Sequence, residues 1–150
     1  MDPAFIELSA KEFGSQCVVV SVDVKVVNNK YKVFSHGGTK ISKYEIEEWV
    51  DIIEKSGGGE ILLNSIDRDG AATGYDLNLL EIVSNRTNVP VIACGGVGKW
   101  EHFHEALTKT KVDAVSAANI FHYVDQSVFL SKKYLYEKEL NVRKPDLINI

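Results

Sequence analysis

Four short stretches of this 150-residue chain place polar or small residues where an apolar run breaks off: Asp23, Asn64 through Gly70, Cys94 through Gly98, and Asn119. Asp23 closes a run of valine and serine, so its carboxylate would stand in a partly enclosed mouth where a raised or hydrogen-bonded pKa suits general acid or base work. The alternative is a carboxylate that caps the turn after it. In Asp67-Arg68-Asp69-Gly70 two carboxylates flank a guanidinium, which reads either as a salt-bridged turn or as a loop carrying a second acid, Asp69, over a ligand. Gly95-Gly96-Val97-Gly98 offers backbone amides unobstructed by side chains, aimed with a helix N-terminus at one point, which is how a phosphate is held without a cation. Ala118-Asn119 ends the next apolar run, where a short extra helix would add amides, and barrel phosphate sites commonly use the loops after strands seven and eight.

Other polar residues carry less. His36, His102, His104 and His122 lack metal-ligand spacing; His102 and His104, two apart on a helix, point to different faces. Solvent-facing or supporting histidines are expected, and no metal. Tyr123, Phe129, Tyr134 and Tyr136 are expected to pack around the last helix rather than hold a cofactor, and no cofactor is expected.

The elements that must position these residues follow from periodicity. Asp2-Pro3 is a helix start, with Asp2 able to cap the first turn and Pro3 at a position where its missing N–H costs nothing, and the helix runs over 3–13 to Gly14. Residues 16–23 form a valine-rich run, apolar on both faces, as expected of a buried parallel strand. Residues 25–34 alternate around Asn28-Asn29, which predicts a small β-hairpin after that first strand. Ser42 is placed as the cap of a helix through Lys55, with Ile46, Trp49, Val50, Ile52 and Ile53 on its apolar stripe and Gly57-Gly58-Gly59 as its stop.

The pattern then repeats: strand 60–66, loop 67–75, helix 76–86; strand 90–95, glycine loop, helix 99–110; strand 113–119 and a helix from about Ser127 to Leu140. The order α(βα)4, with short connections, predicts an α/β fold with a parallel sheet and helical crossovers. Periodicity does not decide between an open, doubly wound sheet and part of a closed barrel, but in both cases function belongs at the carboxyl ends of the strands.

Composition bounds the class. With 45% hydrophobic residues the chain can bury one core, so residues 1–150 are expected to form one domain. A formal charge of −4, with lysines and arginines scattered among acids, argues against a broad nucleic-acid or membrane face and leaves small anions as ligands. Cys17 and Cys94 each sit inside an apolar run, which suits two buried thiols, no disulfide and a reducing cytosol. No stretch reaches the ~20 apolar residues of a membrane span and the N-terminus lacks a signal peptide, so a soluble cytoplasmic protein is expected.

At these same residues the sequence resembles the HisF family, the cyclase subunits of imidazole glycerol phosphate synthases. The resemblance lies in Val18-Val19-Val20-Ser21-Val22-Asp23-Val24-Lys25, Gly59-Glu60-Ile61-Leu62-Leu63-Asn64-Ser65-Ile66-Asp67-Arg68-Asp69-Gly70, Gly74-Tyr75-Asp76, Gly95-Gly96-Val97-Gly98-Lys99 and Phe121-His122. These match the C-terminal half of that family in order and spacing, over residues 2–143. The resemblance implies the C-terminal half of a (β/α)8 TIM barrel. In the full enzyme, ammonia from a partner glutaminase (HisH-like) cleaves and cyclises a two-phosphate ribulosyl nucleotide into imidazole glycerol phosphate and an aminoimidazole carboxamide ribonucleotide, a step of histidine biosynthesis.

By the same resemblance, Asp23 matches one of two catalytic aspartates and Asp69 a substrate-contacting loop aspartate. Gly95, Gly96, Ala118 and Asn119 match one of two phosphate sites, and Glu60, at the opposite strand end, a residue of the ammonia gate. The other catalytic aspartate and the other phosphate site belong to the first half-barrel. The start at Met1-Asp2-Pro3 falls at the head of what would be the fourth helix and reads as a chosen chain boundary or a partial reading frame.

Three positions depart from the family pattern. Asn64, at a substrate position, stands where threonine is usual, Asn119 stands where serine is usual, and His36-Gly37-Gly38 replaces a serine-containing loop. These changes resemble HisF-like paralogues of surface-polysaccharide pathways, in which ammonia builds an acetamidino group on a sugar. A third reading is a catalytically silent half-barrel that binds phosphate and forms a homo-oligomer, because four parallel strands leave two unpaired edges and an apolar inner face.

Overall fold

A computed structural model describes residues 2–122 and 127–145; Tyr123 therefore lies outside the described residues. Five α-helices and six strands occur among them: α1 Pro3–Phe13, β1 Val19–Val27, β2 Lys30–Ser35, β3 Lys40–Glu45, α2 Ile46–Lys55, β4 Glu60–Ser65, α3 Leu77–Ser84, β5 Val91–Cys94, α4 Trp100–Lys109, β6 Ala114–Val115 and α5 Val128–Glu137. The strands form one mixed sheet in the order β3-β2-β1-β4-β5-β6.

Within that sheet β1, β4, β5 and β6 are parallel and lie in chain order, each followed by a helix, while β2 and β3 extend the β1 edge antiparallel. Consecutive helices pack on one another, from α1 against α2 through to α4 against α5. One sheet face is covered. Along β1, Val22 and Val24 are buried while Val19, Ser21 and Lys25 are exposed, and along β4 Ile61, Leu63 and Ser65 are buried. The sequential parallel order and the single helical layer are consistent with part of a (β/α)8 barrel, and unlike a doubly wound sheet, whose helices cover both faces.

The core is Val22, Val24, Val33, Ile61, Leu63, Val91 and Ala93 of the sheet against Val50 and Ile53 of α2, Leu79 and Val83 of α3, and Phe103 and Ala106 of α4. Helix starts follow capping chemistry: Asp2 accepts from Ala4 N at 3.0 Å, Asp76 from Leu79 N at 3.1 Å and Ser127 from Leu130 N at 3.1 Å.

Several expectations are corrected. Ser42 caps no helix. It lies in β3, accepts from Tyr44 N within its own segment, and α2 begins only at Ile46. The reason is tertiary: residues 40–45 find backbone partners along β2, and the Lys32–Glu45 ion pair closes that ladder. The hairpin is therefore a three-stranded excursion, and β1 runs unbroken into it. Residues Ser15–Cys17 form a 3-10 turn rather than strand, which leaves the Cys17 thiol exposed; Cys94 is half-buried. The strands are not buried on both faces, because helices cover only one. Residues 113–119 contribute just the Ala114–Val115 pairing, and Asn119–His122 is the short extra helical turn. Tyr134 packs against the core, whereas Tyr136 is exposed.

Candidate anion and acid–base site

The strand register brings the chemistry together. Asp23 of β1 is directly beside Asn64 of β4, and Asn64 directly beside Cys94 of β5. Side chains alternate along a strand, so the three share the sheet face that the helices leave open. Asn64 Nδ2 donates to Asp23 Oδ1 at 3.0 Å. The other amide atom, Asn64 Oδ1, is buried without a hydrogen-bond partner, against the backbone of Gly95.

At the Cys94 end of this row lies a cavity of about 140 Å³ lined by Asp69, Gly70, Cys94 to Val97, and Ser116 to Asn119. It is smaller than the roughly 300 Å³ at which pockets for whole small molecules begin, and so fits one group of a ligand rather than all of it. The backbone requires glycine here. Gly96 has φ +106°, and a Cβ on it would stand 2.2 Å from Gly74 O; one on Gly95 would stand 2.7 Å from Asn64 Oδ1. Two strand spacings of about 4.8 Å put Asp23 roughly 10 Å from the cavity wall at Cys94.

The loop after β4 separates its three charges. Asp67 Oδ2 accepts from Val26 N at 2.8 Å and so continues the β1 ladder where β4 has ended. Arg68 donates to Thr73 Oγ1 at 3.2 Å, so the salt-bridged turn among these three residues does not form. Asp69 is left exposed on the cavity rim. Of the two acids, one holds the fold and the other faces the cavity.

Burial pushes the Cys94 thiol pKa up, and the Asp69 and Asp23 carboxylates add to the shift. Cys94 is therefore a protonated wall residue and not a thiolate nucleophile. Tyr75, whose O–H donates to Ser116 O at 2.8 Å, is also pushed up, chiefly by burial, and stays a neutral donor that ties the β4 loop to the end of β6. Tyr31 donates to the α3 cap, Asp76, at 2.9 Å.

The sequence-expected residues thus divide. Asp69, Gly95, Gly96, Ala118 and Asn119 line one cavity, Asp23 and Asn64 form a pair in the adjoining row, and Glu60 lies at the opposite end of β4 beside Val19. Sequence reasoning grouped Cys94 with the polar strand ends but gave it no role at the cavity, and it missed Ser116 as a wall. Of the two expectations for the histidines, solvent-facing or supporting, the buried His102 fits the second. The shared position of Asp23, Asn64 and Cys94, each near the end of a parallel strand, was the available signal for Cys94. Among the described residues no helix is long and apolar enough to cross a membrane.

Comparison with known proteins bears on this site. The sequence profile of the family described as "Histidine biosynthesis protein" matches residues 1–127. Three curated relatives, each named imidazole glycerol phosphate synthase subunit HisF, are similar over nearly the whole chain. That of Chlorobaculum parvum is 46% identical over 142 residues, covering 95% of this chain and 57% of the relative. That of Prosthecochloris aestuarii is 47% identical over 141 residues, covering 94% and 56%. That of Dehalococcoides mccartyi is 49% identical over 142 residues, covering 95% and 56%. The chain spans a little over half the length of these relatives.

Proposed function

The chain belongs to the histidine biosynthesis protein family, and from that premise we propose that it is the C-terminal half of a (β/α)8 barrel cyclase/lyase of the imidazole glycerol phosphate synthase type. The observation that carries the reading is the Asp23–Asn64 hydrogen bond of 3.0 Å in the same cross-strand row as the wall of a glycine-lined cavity. An anion seated on the amides of Gly95, Gly96, Ala118 and Asn119 anchors one end of a substrate, and the roughly 10 Å to Asp23 leaves the reacting carbon atoms within reach of its carboxylate.

In this reading Asp23 is the general acid/base. Asn64 orients it and contacts substrate, and Asp69 closes over the ligand from the rim. Glu60, at the far end of β4, belongs to the gate through which ammonia from a glutaminase partner enters. The substrate is the two-phosphate nucleotide of the histidine pathway, and the protein works in the cytoplasm. The second aspartate and second phosphate site come from a first half-barrel. The open sheet face and the apolar residues Phe5, Leu8 and Phe13 of α1, with Val128 of α5, are what that half would cover, or a second copy in a homo-oligomer.

The asparagine at position 64 favours a second reading, the surface-sugar paralogue, because an amide in place of a hydroxyl changes which substrate groups can be met beside Asp23. Turnover of the histidine-pathway nucleotide with ammonium by the complete barrel is the test. Product formation supports the first reading; an intact fold without turnover overturns it.

A further inference from the structure

One imidazole braces the cradle. The Gly98 N–H donates to His102 Nδ1 at 3.1 Å. A backbone amide can only donate, so Nδ1 carries a lone pair and the ring proton sits on Nε2. The ring also lies beside the neighbouring loop: a Cβ placed on Gly74 would stand 3.4 Å from His102 Cδ2 and 3.5 Å from Nε2. Gly74 N in turn donates to Gly96 O at 2.8 Å. His102, only 7% exposed, thus holds Gly98 directly and sits behind the Gly74 segment that is bonded to Gly96.

We propose that His102 is a positioning residue for the anion cradle, and that it holds the Gly95–Gly98 loop in its binding geometry only as the neutral imidazole. The inference rests on the anion-binding reading above. Protonation would put an N–H at Nδ1 against the N–H of Gly98, two donors facing one another. The contact would open and the loop amides would lose their common aim. Lys99 at the helix start and Glu101 and Glu105 on α4 are the charges acting on the ring, while the loop on its other side presents Gly74, which has no side chain. Burial, followed by Lys99, holds the imidazole pKa below its ordinary 6.5, in keeping with a neutral ring at neutral pH.

The sign of the pH dependence separates this role from a simple charge effect. An added positive charge near an anion tightens binding on acidification. A positioning histidine does the reverse. Sulfate is the suitable probe because its charge does not change between about pH 7.5 and about pH 5, the range in which an ordinary histidine titrates. Its binding to the full chain is read from the amide resonances of Gly95 and Gly96.

The expected result is saturable binding at neutral pH that weakens roughly fivefold on acidification, the equivalent of one lost hydrogen bond. His102→Asn, whose Oδ1 can accept the Gly98 N–H without titrating, should bind at neutral pH and lose the pH dependence. His102→Leu should bind more weakly throughout; if it does not fold, the native and His102→Asn profiles decide alone. Tighter binding on acidification, a flat native profile, or full affinity in a folded His102→Leu variant overturns the role of His102 while leaving the cradle standing. Sulfate that moves neither amide at any pH overturns the cradle, and with it this inference.

Discussion

Asn64 Nδ2 reaches across from β4 to Asp23 Oδ1 on β1 at 3.0 Å, and this contact joins the only carboxylate of the strand row to the wall of the glycine cavity. It leaves Asp23 Oδ2 as the oxygen available to a substrate. Replacing Asp23 with Asn in the complete barrel should keep the fold and lower turnover by about 10²–10⁴-fold, the usual contribution of a positioned acid or base. Asn64→Ala should lower kcat by a smaller factor, corresponding to about 1 kcal/mol for one hydrogen bond. Steady-state kinetics with circular dichroism as the folding control checks both; unchanged turnover in Asp23→Asn removes it from the chemistry.

Gly96 should tolerate no side chain. A Cβ would stand 2.2 Å from Gly74 O on a backbone at φ +106°, so both the loop and its neighbour would have to move. Gly96→Val is expected to lose phosphate binding and about 1–3 kcal/mol of stability, the range for a strained backbone conformation. Phosphate titration and thermal unfolding measure the two effects separately, and retained phosphate affinity would remove Gly96 from the cradle.

Tyr31 sets an alkaline limit. Burial, followed by its hydrogen bond to Asp76, pushes its pKa up from 10.0 to about 12. Because the folded value lies above the unfolded one, the stability it contributes is fully present below pH 10.0 and is lost as pH rises through about 12. Tyr31→Phe should remove that part of the alkaline loss, seen as a shallower dependence of the denaturation midpoint on pH over this window. An unaltered slope would mean that the hydroxyl titrates as freely in the folded chain as in the unfolded one.

The one-sided helical layer predicts unequal costs for neighbouring sheet positions. Ile61, with no exposed surface, faces the helices, and Ile61→Ala should cost about 2–5 kcal/mol by cavity formation. Val19, 51% exposed on the open face, should cost less than about 0.5 kcal/mol as Val19→Ala in a dilute chain. If copies associate through that face, Val19→Lys should also weaken the association in sedimentation experiments. Equal costs at the two positions would mean that the open face is covered.

Much of this arrangement was legible along the chain. The four parallel strands, the helix after each, the cap at Asp2 and the glycine loop all follow from local periodicity and capping chemistry, which act over a few residues and so leave a mark in order and spacing. Even the cavity was half visible, because polar residues at strand ends of a parallel sheet must share one edge. An acid or base at Asp23 and an anion cradle at the glycine loop are expectations of that kind, whereas the role of Asp69 is what the family resemblance implies.

Other assignments depended on residues far apart in sequence. Ser42 looks like a helix cap, but its segment pairs with β2. The sequence sets Asp69 on the loop over a ligand but leaves open a salt-bridged turn with Asp67 and Arg68, and only the position of Val26 N makes Asp67 a strand cap and leaves Asp69 on the cavity rim. Cys17 shares the valine-rich context of a buried strand, yet a 3-10 turn turns it outward. His102 reads as one of two ordinary helical histidines until the Gly98 amide is found on its Nδ1. The sequence by itself determined the elements and the edge at which chemistry collects, because hydrophobic alternation and capping are local. Only the tertiary structure decided which carboxylate, amide and imidazole meet, because a hydrogen bond needs its partners within about 3 Å and the chain brings them there from 41 residues away in the case of Asp23 and Asn64.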